Sequence, residues 1–342
     1  MEIFAICPHH TDVFGARDDA GASSAYTARL AAHCGAAERL GATGMLVFDF
    51  WQSLDPWITA QLILSATTTL EPVVAVNPAF THPAIAARST AGLAHVYGRR
   101  VNLNVVAGAK ERDLAALGAA PGQDGGHARN ADFIRAVHAV LAARPHEGSH
   151  YRIDAPALDP TPDPATAPRV LSPGSRAPGI AQVLPLLDRA LVMGKSRAAL
   201  AEEHARLAAA GLTAGLAMVL GIVARPTAAA AWDAARAQYT GSRRDRLASR
   251  AFNRHVTSSQ HTANIAAAAD GEVQDECLWY GADRVGGDAP KLVGSYEEVG
   301  RGLASYARLG VRTLILDLPA AVAEFDHIGH ALEAADDAAL PA

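Results

Sequence analysis

The feature that most constrains this chain is a rhythm. Short apolar runs, with no polar residue alternating through them, give way again and again to Ala-rich segments of helical period. Apolar runs are expected as strands at Ile3–Cys7, Gly44–Phe48, Glu71–Val76, Arg100–Val106, Val170–Leu171, Arg189–Met193, Leu216–Val223 and Thr313–Leu316. Between and after them, helices are expected at Tyr26–Leu40 (closed by Gly41), Pro56–Thr69, Pro83–Tyr97, His127–Ala143, Gly179–Leu187, Ser196–Ala210, Thr227–Tyr239 and Tyr296–Leu309. A strand that is apolar on both faces must be buried on both, which calls for a parallel sheet covered by helices. About eight strand–helix units in series favour closure into a (β/α)8, or TIM, barrel over an open sheet.

At 342 residues a prior of about 150 residues per domain suggests two domains, but α/β barrels routinely run longer as one. The chain is read as one barrel domain over 1–342 with two interruptions. Residues 155–168 are rich in Pro and Asp and read as a surface insertion. Within 243–290, the stretch Arg243–Asp275 is polar and then Ala-rich, and sits where an active-site lid can be inserted. No internal repeat of 20–50 residues is visible. In such barrels the loops after the strands carry the chemistry. That rule singles out His9–Asp12, Asp49–Asp55, Asn77–His82, Ala107–Lys110, Ser172–Arg176 and the segment after Val223.

Several function classes are excluded early. The net charge is −5, and no basic face suits a phosphate backbone, so nucleic acid is not expected as a partner. The three cysteines, Cys7, Cys34 and Cys277, form no CxxC pair, which argues against both a disulfide framework and a zinc site. The apolar start Met1–Pro8 is too short for a signal peptide, and no apolar run reaches the ~20 residues of a membrane span. The expectation is a soluble protein of a reducing cytoplasm.

Five groups of residues carry possible chemistry. Ser172-Pro173-Gly174-Ser175-Arg176 opens toward a helix; free backbone N–H groups, the Ser175 hydroxyl and the Arg176 guanidinium suit a phosphate. An ordinary strand-to-helix turn with an N-cap serine reads the same residues. Asn104, Ala107 and Gly108 offer an amide for the polar edge of a ring and small neighbours that let it approach; a strand asparagine satisfied by backbone is the alternative. His10 and Asp12 follow the first strand, where a histidine serves as acid, base or hydrogen-bond donor. The His9-His10 pair lacks a third ligand at metal spacing, so no metal is expected. Trp51, Trp57 and Trp279 are pocket walls or plain packing. Arg284, Arg250, Arg254 and His255 are either an anion clamp near the lid or solvated surface charges.

The run Val101-Asn102-Leu103-Asn104-Val105-Val106-Ala107-Gly108, then His127-Ala128-Arg129-Asn130-Ala131-Asp132-Phe133-Ile134, resembles the bacterial luciferase-like monooxygenases, and most of all their alkanesulfonate monooxygenase branch. Leu40–Leu46, Ala84–Gly98, Ser172–Arg176, Leu278-Trp279-Tyr280-Gly281 and Leu292–Val299 with Leu309-Gly310-Val311 agree in order and spacing. No single motif decides; the colinear set covers nearly the whole chain.

The resemblance implies a two-component monooxygenase. It would take FMN in its reduced form (FMNH2) from a separate NAD(P)H-dependent flavin reductase and activate O2 as a flavin C4a-peroxide. It implies catalytic roles for His10 and Asp12. It implies a cofactor site made by Asn77, Asn104, Ala107, Gly108, His127, Gly174, Ser175 and Arg176. His127 stands where the family usually has a phosphate-binding tyrosine. A non-proline cis peptide near Asn77-Pro78-Ala79-Phe80 is a further family expectation. The substrate side would include Trp51, Leu54, Arg284 and Phe325.

That side departs from the sulfonate branch. Leu54 replaces a cysteine, Val219 and Gly221 replace an Arg and a His, Phe325 replaces a tyrosine, and Arg284 lies one position from an expected Arg at Val285. A desolvated sulfonate needs paired cations or donors, so an alkanesulfonate is not the expected substrate. A small organic substrate, hydroxylated or N-oxidised and free or tethered to a carrier protein, fits better. Oxidoreduction with coenzyme F420, or flavin binding without catalysis, stays open. Family habit implies a homodimer or homotetramer.

Overall fold

The computed structural model describes residues 1–9, 22–49, 54–107, 115, 117–118, 126–154, 157–173, 179–239, 272–282 and 289–339. Eight parallel strands close into a barrel in the order β1 (Glu2–Ile6), β2 (Gly44–Val47), β3 (Glu71–Val76), β4 (Asn102–Val105), β7 (Val170–Ser172), β8 (Arg189–Met193), β9 (Gly215–Arg225) and β13 (Val311–Leu316). β13 returns to β1, with Ile315 beside Phe4. The TIM barrel expected from the rhythm of the chain is therefore present. Helices α1 (Ala22–Arg39), α2 (Pro56–Ala66), α3 (Pro83–Tyr97), α4 (His127–Leu141), α5 (Arg197–Ala209), α6 (Ala228–Gln238), α7 (Tyr296–Arg308) and α8 (Glu324–Ala339) accompany it.

The pleat separates two cores. Alternate strand residues such as Leu216, Met218 and Leu220 point outward into the large core shared with the helices. Phe4, Leu46, Val73, Ala217, Val219 and Ile315 point inward and fill the barrel. Both faces of each strand are thus apolar, which is why the strands read as unbroken hydrophobic runs. Close packing makes one glycine obligatory: a Cβ on Gly44 would fall 1.9 Å from the Glu71 carbonyl oxygen and 2.6 Å from the Phe4 ring.

The N-terminal end of the barrel is floored by charge. Arg169 donates to Glu2 at 2.6 Å and to Glu71 at 2.8 Å. Asn102 donates to Glu71 at 3.0 Å, Thr313 to Glu2 at 2.9 Å and Arg189 to Thr313 at 3.2 Å. The open end lies at the strand C-termini, as the barrel rule requires.

β9 is the longest strand and belongs to two sheets. Its lower half pairs with β8 and β13. From Gly221 to Arg225 it pairs instead with β12 (Lys291–Ser295), which continues antiparallel into β11 (Leu278–Trp279) and β10 (Val273–Gln274).

Four elements differ from expectation. Gly179–Leu187 is two 3-10 turns, Ile180–Gln182 and Leu184–Leu186, not an α-helix; Pro185 has no N–H for an i→i−4 bond. Residues 292–295, matched by resemblance to a final helix, form most of β12, and the helix starts after the Ser295 capping box. A two-residue hairpin, β5 (His146–Glu147) with β6 (Arg152–Ile153), and helix α8 had no counterpart in the sequence reading. Among the described residues no helix is long and apolar enough to cross a membrane, and Cys7, Cys34 and Cys277 are buried free thiols.

Candidate active site at the barrel mouth

His10, Asp12, Trp51, Gly108, Gly174, Ser175, Arg176 and Arg284 lie outside the described residues, as do Arg250, Arg254 and His255. The described part of the mouth consists of the strand ends and the turns next to them.

On one side stand β3, β4 and β7. Asn104 is buried, beside Ala75 of β3 and Leu171 of β7. Its Oδ1 has no hydrogen-bond partner among the described residues. A buried amide oxygen left unpaired costs about 1–3 kcal/mol. An N–H edge presented from the mouth would remove that cost. Ala107, half-buried, ends the same strand and lies against the start of α4: a Cβ on Gly126 would come 3.5 Å from the Ala107 Cβ. Gly126 precedes α4 with φ +81° and offers no side-chain cap. The backbone N–H groups of the first turn of α4 point to this end of the helix, which is therefore positive. His127 opens the helix fully buried, and Asn130 one turn on has a buried Nδ2 with no hydrogen-bond partner among the described residues. Asn104, Ala107 and His127 are thus brought together. Polar atoms and small neighbours on this side fit the edge of a flavin.

Ser172 ends β7, but its hydroxyl donates to the Val105 carbonyl at 2.7 Å. It ties two strands together. Asn77 is also locally committed, because its Oδ1 accepts from Ala79 N at 3.0 Å while its carbonyl accepts from Phe80 N at 3.0 Å. This is an Asx-type turn with trans peptides. The expected cis bond at Asn77–Phe80 is absent; among the described residues only Asp159–Pro160 is cis. The side-chain hydrogen bond closes the turn without backbone strain.

That turn is held from behind. The Tyr151 hydroxyl donates to the Pro78 carbonyl at 2.8 Å. Tyr151 sits on the β5–β6 hairpin, which Asp132 of α4 pins by accepting from His150 N at 2.6 Å, Tyr151 N at 3.1 Å and His146 Nε2 at 2.7 Å. Burial by itself would raise the Asp132 pKa, but the His150 and Tyr151 N–H groups and the His146 ring outweigh it and hold the carboxyl below its usual range. A Cβ on Gly148 would sit 1.8 Å from Asp132 Oδ1, so glycine lets the hairpin close on the carboxylate.

Across the mouth stand β9 and β13. Ala217 and Val219 face the interior, so Gly221 is next on that face. Ile315 faces the interior, so Asp317 is next above it. Lys291, at the start of β12, crosses over Gly221 and donates from Nζ to Asp317 Oδ2. A Cβ on Gly221 would lie 2.1 Å from the Lys291 Cδ. Lys291 is 2% exposed and Asp317 8%. The Tyr239 ring lies 5.4 Å from the ammonium. Sequence reading missed this pair. A lysine heads one apolar run and an Asp closes another, but nothing local says that the two meet.

One expected substrate residue sits elsewhere. Phe325 packs in the helix layer, edge-on to His33 at 6.2 Å. Leu54 is half-buried beside Asp55, which caps α2 by accepting from Trp57 N at 2.8 Å. Trp279 packs edge-on to Trp232 at 5.9 Å and Tyr239 at 5.8 Å. Trp57 joins the outer core. A cavity of about 610 Å³ lies at the opposite end, between α3, α4 and residues 161–168. It is remote from the mouth. Among the described residues no group of three His, Cys, Asp or Glu side chains could hold a metal.

A model of the luciferase-like monooxygenase family matches residues 1–313. The chain belongs to that family, a class of flavin-dependent monooxygenases. It is 28% identical over 299 residues, 86% of this chain and 87% of the relative, to the 4-(gamma-L-glutamylamino)butanoyl-[BtrI acyl-carrier protein] monooxygenase BtrO of Niallia circulans. Solved structures of similar fold include the EDTA monooxygenase of Chelativorans sp. BNC1. It has a TM-score of 0.73 and 15% identity, with 100% of this chain and 95% of that one covered. The oxygenating constituent of 3,6-diketocamphane monooxygenase from Pseudomonas putida, in complex with FMN, has a TM-score of 0.71 and 16% identity, covering 98% and 96%.

Proposed function

We propose that this protein is the oxygenase of a two-component system in a reducing cytoplasm. It takes reduced FMN from a separate NAD(P)H-dependent flavin reductase. With O2 it hydroxylates or N-oxidises an acyl substrate tethered to a carrier protein. The observation that carries the flavin half is the buried Asn104 with its unpartnered Oδ1 beside Ala107 and the start of α4. The carrier-tethered substrate rests on the similarity to BtrO.

When bound, reduced FMN supplies the electrons that activate oxygen. Asn104 holds the ring's polar edge. His127 and the Gly174-Ser175-Arg176 loop hold the phosphate. His10 and Asp12 move or hold a proton at the reacting centre, with Trp51 and Arg284 near the substrate. The interior-facing floor of Leu46, Val73 and Val219 excludes water from beneath. An alkanesulfonate is disfavoured: Lys291 is already neutralised by Asp317, and a single anion would leave that carboxylate unpaired. Exposed Ile58, Ile85 and Val96 on α2 and α3 offer a face for a homodimer or homotetramer.

The test is anaerobic titration with reduced FMN, set against reduced F420, followed by mixing with O2 and 4-(γ-L-glutamylamino)butanoyl-carrier protein. Tight reduced FMN and substrate-dependent oxygen use are expected. Arg176→Ala should weaken reduced FMN by roughly 1.5–3 kcal/mol, the worth of a charge-assisted bond. Preference for F420, or no product with oxygen, would overturn the proposal.

A further inference from the structure

We propose that Lys291 and Asp317 recognise an α-amino-acid end on the substrate, with Lys291 taking the carboxylate and Asp317 the ammonium group. The inference rests on the carrier-tethered reading above and names the chemistry at the far end of that substrate.

Position comes first. Lys291 does not lie behind the sheet. Its side chain crosses the inward face of β9, one pleat above Val219, and meets Asp317 one pleat above Ile315. The pair therefore lies on the axis-facing side of the mouth, across the barrel from Asn104. Below the pair lie the interior-facing Val219 and Ile315, and above it on the same face Val223 and Val293 pack on Ala231 and Ala235 of α6.

A plain structural tie explains less. β12, β9 and β13 are already joined by main-chain bonds at this level, Gly221 N to Pro290 O at 2.9 Å and Asp317 N to Leu220 O at 3.1 Å. A buried ion pair adds little net stability over apolar side chains of the same size. Yet the chain gives up an inward-facing side chain at position 221 so that the lysine can cross. The Tyr239 ring supports the ammonium from the other side. Asp317 Oδ1 is oriented by Leu318 N at 2.9 Å. Both charged groups are thus fixed in direction as well as buried.

Charge balance then selects the ligand. Without substrate the two groups neutralise each other. A ligand with one charge would pair with one of them and leave the other buried and alone. A zwitterionic head exchanges one internal pair for two external ones, so every charge stays matched. An α-amino acid, with ammonium and carboxylate on one carbon, presents that pattern at the spacing of a single ion pair.

The test uses the FMN-loaded protein and three pantetheine thioesters. One is 4-(γ-L-glutamylamino)butanoyl pantetheine. The second lacks the α-carboxylate (4-aminobutanoyl in place of glutamyl), and the third lacks the α-ammonium (glutaryl). Calorimetric Kd values for the unmodified protein should favour the first by ~30-fold or more over each of the others, the lower bound for truncating one partner of a buried charge pair. Lys291→Met should abolish the preference over the carboxylate-free probe. Asp317→Asn should abolish the preference over the ammonium-free probe. Equal binding of the three by the unmodified protein overturns the inference without need of any variant. So does a uniform loss across all three in Lys291→Met. If none of the three binds while reduced FMN binds normally, the carrier-tethered reading fails and takes this one with it.

Discussion

Replacing Arg169 by Met separates the scaffold from the site. Its guanidinium holds two carboxylates across the barrel floor, Glu2 at 2.6 Å and Glu71 at 2.8 Å, and its side chain is 25% exposed. Methionine keeps much of the length and the contact with the Phe4 ring, over which the guanidinium now lies at 5.7 Å. Each charge-assisted bond is worth about 1.5–3 kcal/mol, giving an upper range of roughly 3–6. Partial exposure trims that, and Arg100 remains 3.4 Å from Glu71 as a second cation; roughly 2–4 kcal/mol is left. At about 2.1 cal/mol/K of unfolding entropy per residue, a chain of this length should lose roughly 3–6 °C in Tm. Scanning calorimetry reads the loss. In a double-mutant cycle, Glu2→Gln should recover about 1 kcal/mol, because the uncompensated carboxylate is gone. Affinity for reduced FMN should not change, since the floor lies at the other end of the strands. A Tm shift below about 1 °C, strict additivity in the cycle, or a loss of flavin affinity would refute the reasoning.

Asn104→Ala should leave the apo protein as stable or nearly so, because an unpartnered buried oxygen is removed, while reduced FMN binds about 1–2 kcal/mol more weakly; lost stability with unchanged binding would place the amide in the scaffold. The Asp132 carboxyl is held below its usual range. Its contribution is therefore complete above the unfolded value near 4 and falls away as pH drops through the folded value. Amide protection factors at residues 146–153, corrected for the intrinsic pH dependence of exchange, should stay high at pH 5–8 and fall in acid, and protection that persists to about pH 2 would contradict this. Gly44→Ala drives a Cβ against the Glu71 carbonyl and should cost about 1–3 kcal/mol or more in chemical denaturation. Tyr151→Phe removes the bond to the Pro78 carbonyl; roughly 0.5–1.5 kcal/mol of stability should go, together with slower turnover at saturating substrate.

The barrel was legible because its strands are buried on both faces, which writes them as unbroken apolar runs. The same property hid what lies above it. Residues 292–295 are short and apolar and contain a glycine, and nothing local distinguishes them from the lead-in to α7. Hairpin β5–β6 is polar and two residues per strand, and Asp132, 14 positions before His146, defines it. Gly179–Leu187 had helical composition, but one proline inside a nine-residue window outweighed it. Among the candidate site residues, Asn104 and Ala107 were legible as the end of one strand, and His127 only through the resemblance. Lys291 and Asp317 were not, since their meeting depends on β12 joining β9 beyond the barrel. Phe325 was placed near substrate by resemblance, whereas its contacts with the helix layer come from how α8 packs on α1.

The forked strand β9 has a consequence for how such a protein can change. Below Leu220 its neighbours β8 and β13 are fixed by barrel closure, and its inward residues share one core with the other strands. From Gly221 onward its strand partner among the described residues is β12. The boundary between inherited frame and exchangeable cassette thus falls inside one strand, between two adjacent residues. A relative can replace the cassette, with its ion pair and its glycine, and keep the rest of the molecule in register.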